Sequence, residues 1–468
     1  MINPTQLLRK KIGWLICILM FTLTFGTFAQ SNESVKYLTM DEAVTRALTH
    51  NHLIKSSKYA IKKANWDVKR AWAELFPTLS FNTKYNWIDK QTFAERDFRQ
   101  YLPPELASQI PQTVFQESYL SSLDVEFPLF NGVLLNGLSI AYEQESMSEQ
   151  QSQSVEQQTV YNVIASYLDV LRNQELSKIQ SEYLKLSKLN YEKAQRLYEA
   201  NRYSQNESLR WKIDYQQQKS TLANSRADSR NSLISLSRLI DGELDTNTII
   251  DPKVLINLEV EKNKILNLTD KEILSIIVLN DEQLIEANAS LAALKSGEEI
   301  SRLLHKNSYS SFMPNINFSY SYGWRENNTI DLDDYSPKNL MINFSLPIFS
   351  GFQNFTALKS TLYEYKQNQE EFQDQLLNTK LILNSVANNI INIKTQLSLL
   401  ETNLEFSQNN YSIVERQRER GLVSNIDYID AKLNMQNANI DLIGNTYNFI
   451  ISIVELYYLT GQIENLIY

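Results

Sequence analysis

Glycine and proline are absent from the two stretches that shape this chain. Neither occurs from residue 138 to residue 241, a gap of 104 positions, nor from 352 to 420, a gap of 69. An interior helical glycine costs about 1 kcal/mol and a proline about 3, so gaps of this length predict uninterrupted helices. A helix of about 70 residues extends roughly 100 Å at 1.5 Å per residue, far beyond the diameter of a globular domain. Such a chain must span something.

Each gap opens on the same motif. EFPLFNG at Glu126 to Gly132 returns as SLPIFSG at Ser345 to Gly351, and the repetition extends well beyond it. LFPTLSFNTKYNW (Leu75 to Trp87) pairs with FMPNINFSYSYGW (Phe312 to Trp324), and LIDGEL (Leu239 to Leu244) with YLTGQI (Tyr458 to Ile463). DEAVTRALTHNHLI (Asp41 to Ile54) pairs more loosely with KEILSIIVLNDEQLI (Lys271 to Ile285). Internal repeats fix architecture before any other feature does. The expected organisation is a first repeat over 30–243, a polar linker over 244–270 that includes Pro252, and a second repeat over 271–468 ending in a C-terminal tail. Each repeat reads helix, strand, loop, strand, very long helix, return helix.

The strand segments alternate. Phe81, Thr83, Tyr85 and Trp87 face away from Ser80, Asn82, Lys84 and Asn86, and Leu123, Val125, Phe127 and Leu129 away from Ser122, Asp124 and Glu126. In the second repeat Phe318, Tyr320, Tyr322 and Trp324 alternate with Asn317, Ser319, Ser321 and Gly323, and Leu340, Ile342 and Phe344 with Met341, Asn343 and Ser345. Segments of about 10 residues are what a tilted strand needs to cross a bilayer, and an aromatic face opposite a small polar one is the pattern of a transmembrane barrel. A soluble sheet packed on helices alternates in the same way. Four strands cannot close a barrel, and open edges are not tolerated in lipid, so several copies must share one.

The helices carry a 3.5-residue rhythm. Val386, Ile390, Ile393, Leu397, Leu400 and Leu404 step by fours and threes, and Ile426, Ile429, Leu433, Gln436, Ile440, Ile443 and Tyr447 continue on the return helix. This is coiled-coil packing. The other faces, dense in Gln, Asn and Ser, suit bulk solvent or a water-filled lumen equally.

Composition narrows the function classes. The chain has 468 residues with 45 Lys+Arg against 54 Asp+Glu, a formal charge of −9, which leaves no nucleic-acid footprint. Arg9, Lys10 and Lys11 precede an apolar run from Ile12 to Phe28 that ends in Thr27-Phe28-Ala29, so residues 1–29 read as a cleaved secretory signal, with an uncleaved anchor helix as the alternative. The sole cysteine, Cys17, lies in that segment. His50 and His52 point to different faces of a predicted helix and His305 stands alone, so neither a metal site nor a cofactor is expected.

Together these motifs resemble the TolC family of outer-membrane efflux and secretion channels. The resemblance rests on the repeated proline-phenylalanine-glycine entry to the long helices, the paired LFPTLSF and FMPNINF strand entries, and ERGLVSNIDYIDAKLNMQNA at Glu419 to Ala438, similar to the family's helix-to-helix turn at the periplasmic tip. It implies an α+β membrane protein: a homotrimer in which four strands per chain build a 12-stranded barrel surrounded by outer membrane lipid, above a coiled-coil α-barrel in the periplasm. Pro128, Gly132, Pro347 and Gly351 become barrel-to-helix junctions. The turns Asn201, Arg202, Tyr203, Ser204 and Gly421, Leu422, Val423, Ser424 become docking tips for a periplasmic adaptor, itself coupled to an inner-membrane pump or ABC exporter. Asp427 and Asp430 match the aspartate pair lining the family's periplasmic constriction. The chain departs from the pattern at Asn201, where a glycine would stand, at Glu207, where an aspartate is usual, and at Val423 and Arg418, where the Arg and Tyr that tie the closed aperture would be. A structural coiled-coil surface protein would account for the heptads but not for four bilayer-length strands. A periplasmic enzyme lacks a nucleophile or phosphate-loop motif. The exported substrate is not written in the sequence, although few methionines argue against a soft-metal relay.

Overall fold

The computed structural model describes residues 37–242, 244, 248–252, 255–327 and 336–466; the expected signal segment, 1–29, lies outside them. A short strand β1 (Tyr37–Leu38) leads to helices α1 (Met40–His50) and α2 (His52–Ala73) and then to β2 (Thr78–Trp87). Two short helices, α3 (Lys90–Arg96) and α4 (Pro104–Ala107), lie in the connection to β3 (Glu117–Asn131). From β3 the chain enters α5 (Gly132–Glu199) and returns along α6 (Gln205–Ile240). Then follow β4 (Ile249–Ile250), α7 (Leu255–Asn267), α8 (Asp270–Ile276), α9 (Asp281–Ala287) and α10 (Ala289–Ser308). The second repeat continues with β5 (Asn315–Asn327), β6 (Lys338–Ser345), α11 (Gln353–Glu419) and α12 (Asn425–Leu459).

The predicted long helices are present, with 68 residues in α5 and 67 in α11. Each extends about 100 Å. No described helix is long and apolar enough to cross a membrane.

The four long strands form one antiparallel sheet in the order β2-β3-β5-β6. Register puts Ser80, Asp124, Ser321 and Asn339 in one row, so the small polar residues of all four strands share a face. Asp124 gathers that face: it accepts hydrogen bonds from Asn82 Nδ2 (2.8 Å), from Ser122 Oγ (2.7 Å) and from Ser321 Oγ, tying three strands together. The opposite face carries Phe81, Tyr85, Leu123, Phe318, Ile342 and Phe344. Strands β2 and β6 each have a neighbour on one side only, and both are exposed along their whole length.

The segment expected to be a polar linker is instead partly folded. β4 pairs in parallel with β1, through Leu38 with Ile250, and α7 buries Leu258 and Ile265 in the two hydrophobic cores. Leu258 and Ile265 are seven residues apart, two helical turns on one face, and this spacing outweighs the polar composition around them. The loose pairing of Asp41–Ile54 with Lys271–Ile285 also shifts. Asn51 caps α2 and donates its side-chain amide to Leu239 O (2.9 Å), while Asn288 caps α10 and donates to Leu459 O (3.4 Å). The counterpart of Asn51 is therefore Asn288, and a cap with its tertiary hydrogen bond marks the repeat better than the apolar pattern does.

Below the sheet, α2 packs on α5, α5 on α10 and α10 on α11. Farther down only two hairpins remain, α5–α6 and α11–α12, joined by α5 against α12. Near the turns the packed residues of α12 are Tyr428, Ala431, Lys432 and Gln436, whereas Ile426, expected on the packed stripe, is exposed. Lys432 is wholly buried and holds the hairpins together: its Nζ donates to both carboxylate oxygens of Asp214 on α6 (2.7 and 2.6 Å) and to Ser187 Oγ on α5 (3.0 Å). Burial pulls the Lys432 ammonium below its ordinary pKa, and Asp214 opposes that shift. One turn on, Gln218 Nε2 donates to Gln436 Oε1 across the same buried seam (3.2 Å).

Removing one member of a buried ion pair strands the other, at a cost of about 3–5 kcal/mol, whereas replacing both by apolar groups of similar volume is often neutral or stabilising. Lys432→Met is accordingly expected to lower the thermal unfolding midpoint of the detergent-extracted protein. Lys432→Met with Asp214→Leu should recover most of the loss; circular dichroism at 222 nm measures both.

Candidate functional site

Two junctions and two turns carry the sequence-predicted sites. At the first junction β3 passes directly into α5: Pro128 lies in the strand beside a register shift at Pro128/Phe130, and Gly132 is the first helical residue. A Cβ on Gly132 would come 3.1 Å from both Met313 Sδ and Ser310 Cβ, which explains the glycine by packing. The Asn131 side chain caps this helix by accepting from Val133 N and Leu134 N. The second junction differs. After β6 ends, the chain runs through Pro347 and takes positive φ at Gly351 (61°) and Phe352 (66°) before α11 starts.

The two tips are built alike from different residues. In the first, Asn201 takes φ 55°, and Arg202 N and Tyr203 N both donate to Leu197 O (2.8 and 3.2 Å). In the second, Gly421 takes φ 72° and Leu422 N donates to Gln417 O (2.9 Å). Asparagine is among the few residues that tolerate this left-handed region, so the first turn closes without glycine. Each return helix then starts with a capping box, Ser204 with Glu207 and Ser424 with Asp427. The departure at Glu207 is accommodated because glutamate and aspartate can both reach back to the cap.

Asp427 is therefore already engaged. One of its carboxylate oxygens accepts from Ser424 N (3.1 Å) and Ser424 Oγ (2.7 Å), while the side chain remains exposed. Asp430, one turn further along α12, is also exposed, and both aspartates lie away from the buried Tyr428 and Lys432.

Arg418 occupies a position the sequence marked only as a departure. Its guanidinium stacks on two rings, 4.4 Å from the Trp211 centroid and 4.2 Å from that of Tyr428, and Nη1 donates to Asn190 Oδ1 (3.3 Å). Stacking a cation between aromatic faces binds α11, α12, α5 and α6 at one point. Tyr428 shares a hydroxyl-to-hydroxyl hydrogen bond with Tyr411 (2.7 Å), whose hydroxyl also donates to Glu415 Oε1 (2.9 Å). Burial and then Tyr428 push the Tyr411 phenol up, so it remains a donor. Asn425 Nδ2 donates to Glu207 Oε1 (3.3 Å), joining the first residue of α12 to the capping box of α6. Val423 contributes no polar group and lines, with Tyr203, Arg210, Arg418 and Asn425, the cleft between the turns.

Trp211, Asp214, Ser187 and Lys432 were missed by the sequence reading. A signal existed: Lys432 stands four residues after Tyr428 and four before Gln436, so a charge interrupts a stripe of helical period.

Comparison with known proteins agrees with this architecture. A family model described as outer membrane efflux protein matches residues 43–242 and 281–462. The alkaline protease secretion protein AprF of Pseudomonas aeruginosa is 19% identical over 397 residues, covering 84% of this chain and 78% of that protein. The Campylobacter jejuni outer membrane channel CmeC superposes with TM-score 0.75 at 13% identity, covering 91% of this chain and 86% of that one. The open state of the Neisseria gonorrhoeae channel MtrE gives 0.72 at 12% identity, over 91% and 89%. Identities this low establish the fold alone, but the family model spans most of the chain. The chain belongs to the outer membrane efflux protein family, as a channel with its strands in the outer membrane and its long helices in the periplasm.

Proposed function

We propose that three copies of this chain close one duct, that the duct is the outer membrane part of a tripartite efflux or type I secretion system, and that it conducts passively with no catalytic step of its own. The observation that carries this is the sheet. It has four strands, an aromatic face, a polar face and two unpaired edges, and it continues into helices about 100 Å long. Unpaired backbone groups in hydrocarbon cost several kcal/mol each, and pairing β6 of one copy with β2 of the next removes them, giving three times four strands. In this reading a periplasmic adaptor docks on the turns at Asn201 to Ser204 and Gly421 to Ser424, and an inner-membrane pump or ABC exporter supplies energy and selectivity. AprF, a secretion protein by name, and CmeC, an outer membrane channel, leave both kinds of cargo open.

Light scattering of the detergent-extracted protein is expected to give a trimeric mass, and planar-bilayer recording a discrete single-channel conductance. A folded, active monomer or dimer would refute the assembly.

The tips give a second outcome to measure. Gly421 has φ 72°, where a β-branched side chain is strained by on the order of 1–3 kcal/mol, and nothing lies within 4 Å to crowd a new Cβ. Gly421→Val should therefore distort the turn without a packing clash and reduce export, while trimer formation persists. Full export by this variant would remove the turn from the docking surface.

The constriction gives a third. Threefold symmetry multiplies Asp427 and Asp430 into two stacked rings, six carboxylates in all, and such rings attract cations and bind multivalent ones. The channel is expected to prefer cations and to be blocked by multivalent cations from the periplasmic side. Bilayer recordings of Asp427→Asn with Asp430→Asn should show weaker preference and weaker block; unchanged recordings would leave both residues as helix-end and surface charges.

A further inference from the structure

The chain has two free edges at each of three heights. In the sheet they are β2 and β6; in the upper helical layer, ordered α2, α5, α10, α11, they are α2 and α11; in the lower layer, ordered α6, α5, α12, α11, they are α6 and α11. One edge always belongs to the first repeat and the other to the second. A surface with two unlike edges closes head to tail into a ring, and both edges must then match along their length.

Both lower edges carry an unused heptad stripe. On α6, Leu209, Ile213, Gln216, Ser220 and Ala223 step by 4, 3, 4, 3 and are all exposed. On α11, Leu399, Thr402, Phe406, Asn409 and Ile413 step by 3, 4, 3, 4 and are likewise all exposed. The buried residues of α6, among them Trp211, Asp214, Gln218 and Leu222, occupy a different face, so these stripes are additional to the seam within the chain. A 3.5-residue period on an exposed face signals a helical partner.

Charge identifies that partner. Helix α6 has six basic residues, Arg210, Lys212, Lys219, Arg226, Arg230 and Arg238, against three acidic ones, Glu207, Asp214 and Asp228. The stretch of α11 from Thr395 to Ile413 has Glu401 and Glu405 and no Lys or Arg. Among the described residues, Lys219, Arg226, Glu401 and Glu405 are exposed and form no ion pair within the chain. The two turns lie at one level, since Asn425 touches Glu207, and the helices run in opposite directions. Counting from the turns, Glu405 lies 14 residues before Glu419 (419 − 405) and Lys219 lies 14 after Gln205 (219 − 205). Glu401, at 18 from its turn (419 − 401), falls between Lys219 at 14 and Arg226 at 21 (226 − 205).

We propose that the exposed stripe of α6 packs as an antiparallel coiled coil against the exposed stripe of α11 from the next copy, with Glu401 and Glu405 of that next copy set against Lys219 and Arg226 of the first. This rests on the homotrimer of the preceding section and deepens it by naming the residues that meet. The seam is weakly apolar, with Gln216, Ser220, Thr402 and Asn409 at heptad positions, in contrast to the buried ion pair that joins the hairpins inside one chain. Of the two seams in the lower ring, the one between copies separates more readily.

The test uses Ala223→Cys with Thr402→Cys, 18 and 17 residues from their turns (223 − 205 and 419 − 402), in the full chain with Cys17→Ala, since Cys17 is the only native cysteine. Oxidation is expected to give covalent dimers and trimers on a non-reducing gel. A species that light scattering shows to be trimeric but that forms no interchain disulfide, or only a faster-migrating monomer, overturns the seam and leaves the trimer standing; a monomeric mass overturns both. Glu405→Lys should lower the temperature at which the trimer dissociates, and added Lys219→Glu should raise it again. Absence of that rescue, with helicity unchanged, overturns the charge pairing.

Discussion

A backbone N–H or C=O in hydrocarbon has no water to turn to, and the rest of the structure follows from that constraint. It restricts the spanning part to strands whose hydrogen bonds are all made, and it explains why the sheet alternates so strictly between an aromatic and a small polar face. It also makes β2 and β6, each with a neighbour on one side only, the most consequential surfaces of the molecule. The upper helical layer inherits the same edges, because α2 leads into β2 and β6 leads into α11 across a short bend at Gly351 and Phe352. Strand order is therefore repeated in the helical layer next to the sheet.

The two repeats solve the same problems with different chemistry. Where the second tip uses Gly421 for a left-handed turn, the first uses Asn201; where α12 closes its capping box with Asp427, α6 uses Glu207. Duplication preserved backbone requirements, a positive φ and a cap, rather than residue identities. The contacts between repeats have no internal counterpart: Lys432 with Asp214 and Ser187, and Arg418 with Trp211 and Asn190, each join one helix to partners on the other hairpin. Such contacts make two homologous hairpins into one unit.

How much of this could be read from the sequence depended on whether a feature is local or tertiary. The long helices were legible because glycine and proline leave a strong mark by their absence, and the strands because an alternating period is visible in ten residues. The repeat junctions were legible as motifs, although the bend at Gly351 and Phe352 was not, since positive φ at a phenylalanine has no local signature. The belt formed by β4 and α7 was hidden: its buried residues Leu258 and Ile265 are few, and the segment reads as polar. The tip cluster was hidden for the opposite reason. Lys432 and Asp214 each look like surface charges until the two helices are brought together, and only then is the charge seen to be compensated rather than solvated. Ile426 illustrates the reverse error, because a residue in phase with a heptad need not face the partner within its own chain.

The same distinction governs the aspartates at the second tip. Asp427 belongs to a capping box, so part of its carboxylate serves the fold whatever its role in conduction, whereas Asp430 is exposed and forms no ion pair within the chain among the described residues. An asparagine at 427 keeps an acceptor for the amide and hydroxyl of Ser424, and asparagine complements a helix start nearly as well as aspartate does apart from the charge. In the proposed trimer, replacing both aspartates by asparagine would remove six charges with little effect on the turn that holds them, and any change in ion preference would then report electrostatics rather than a deformed tip. Alanine at 427 would confound the two, because the cap would be lost together with the charge.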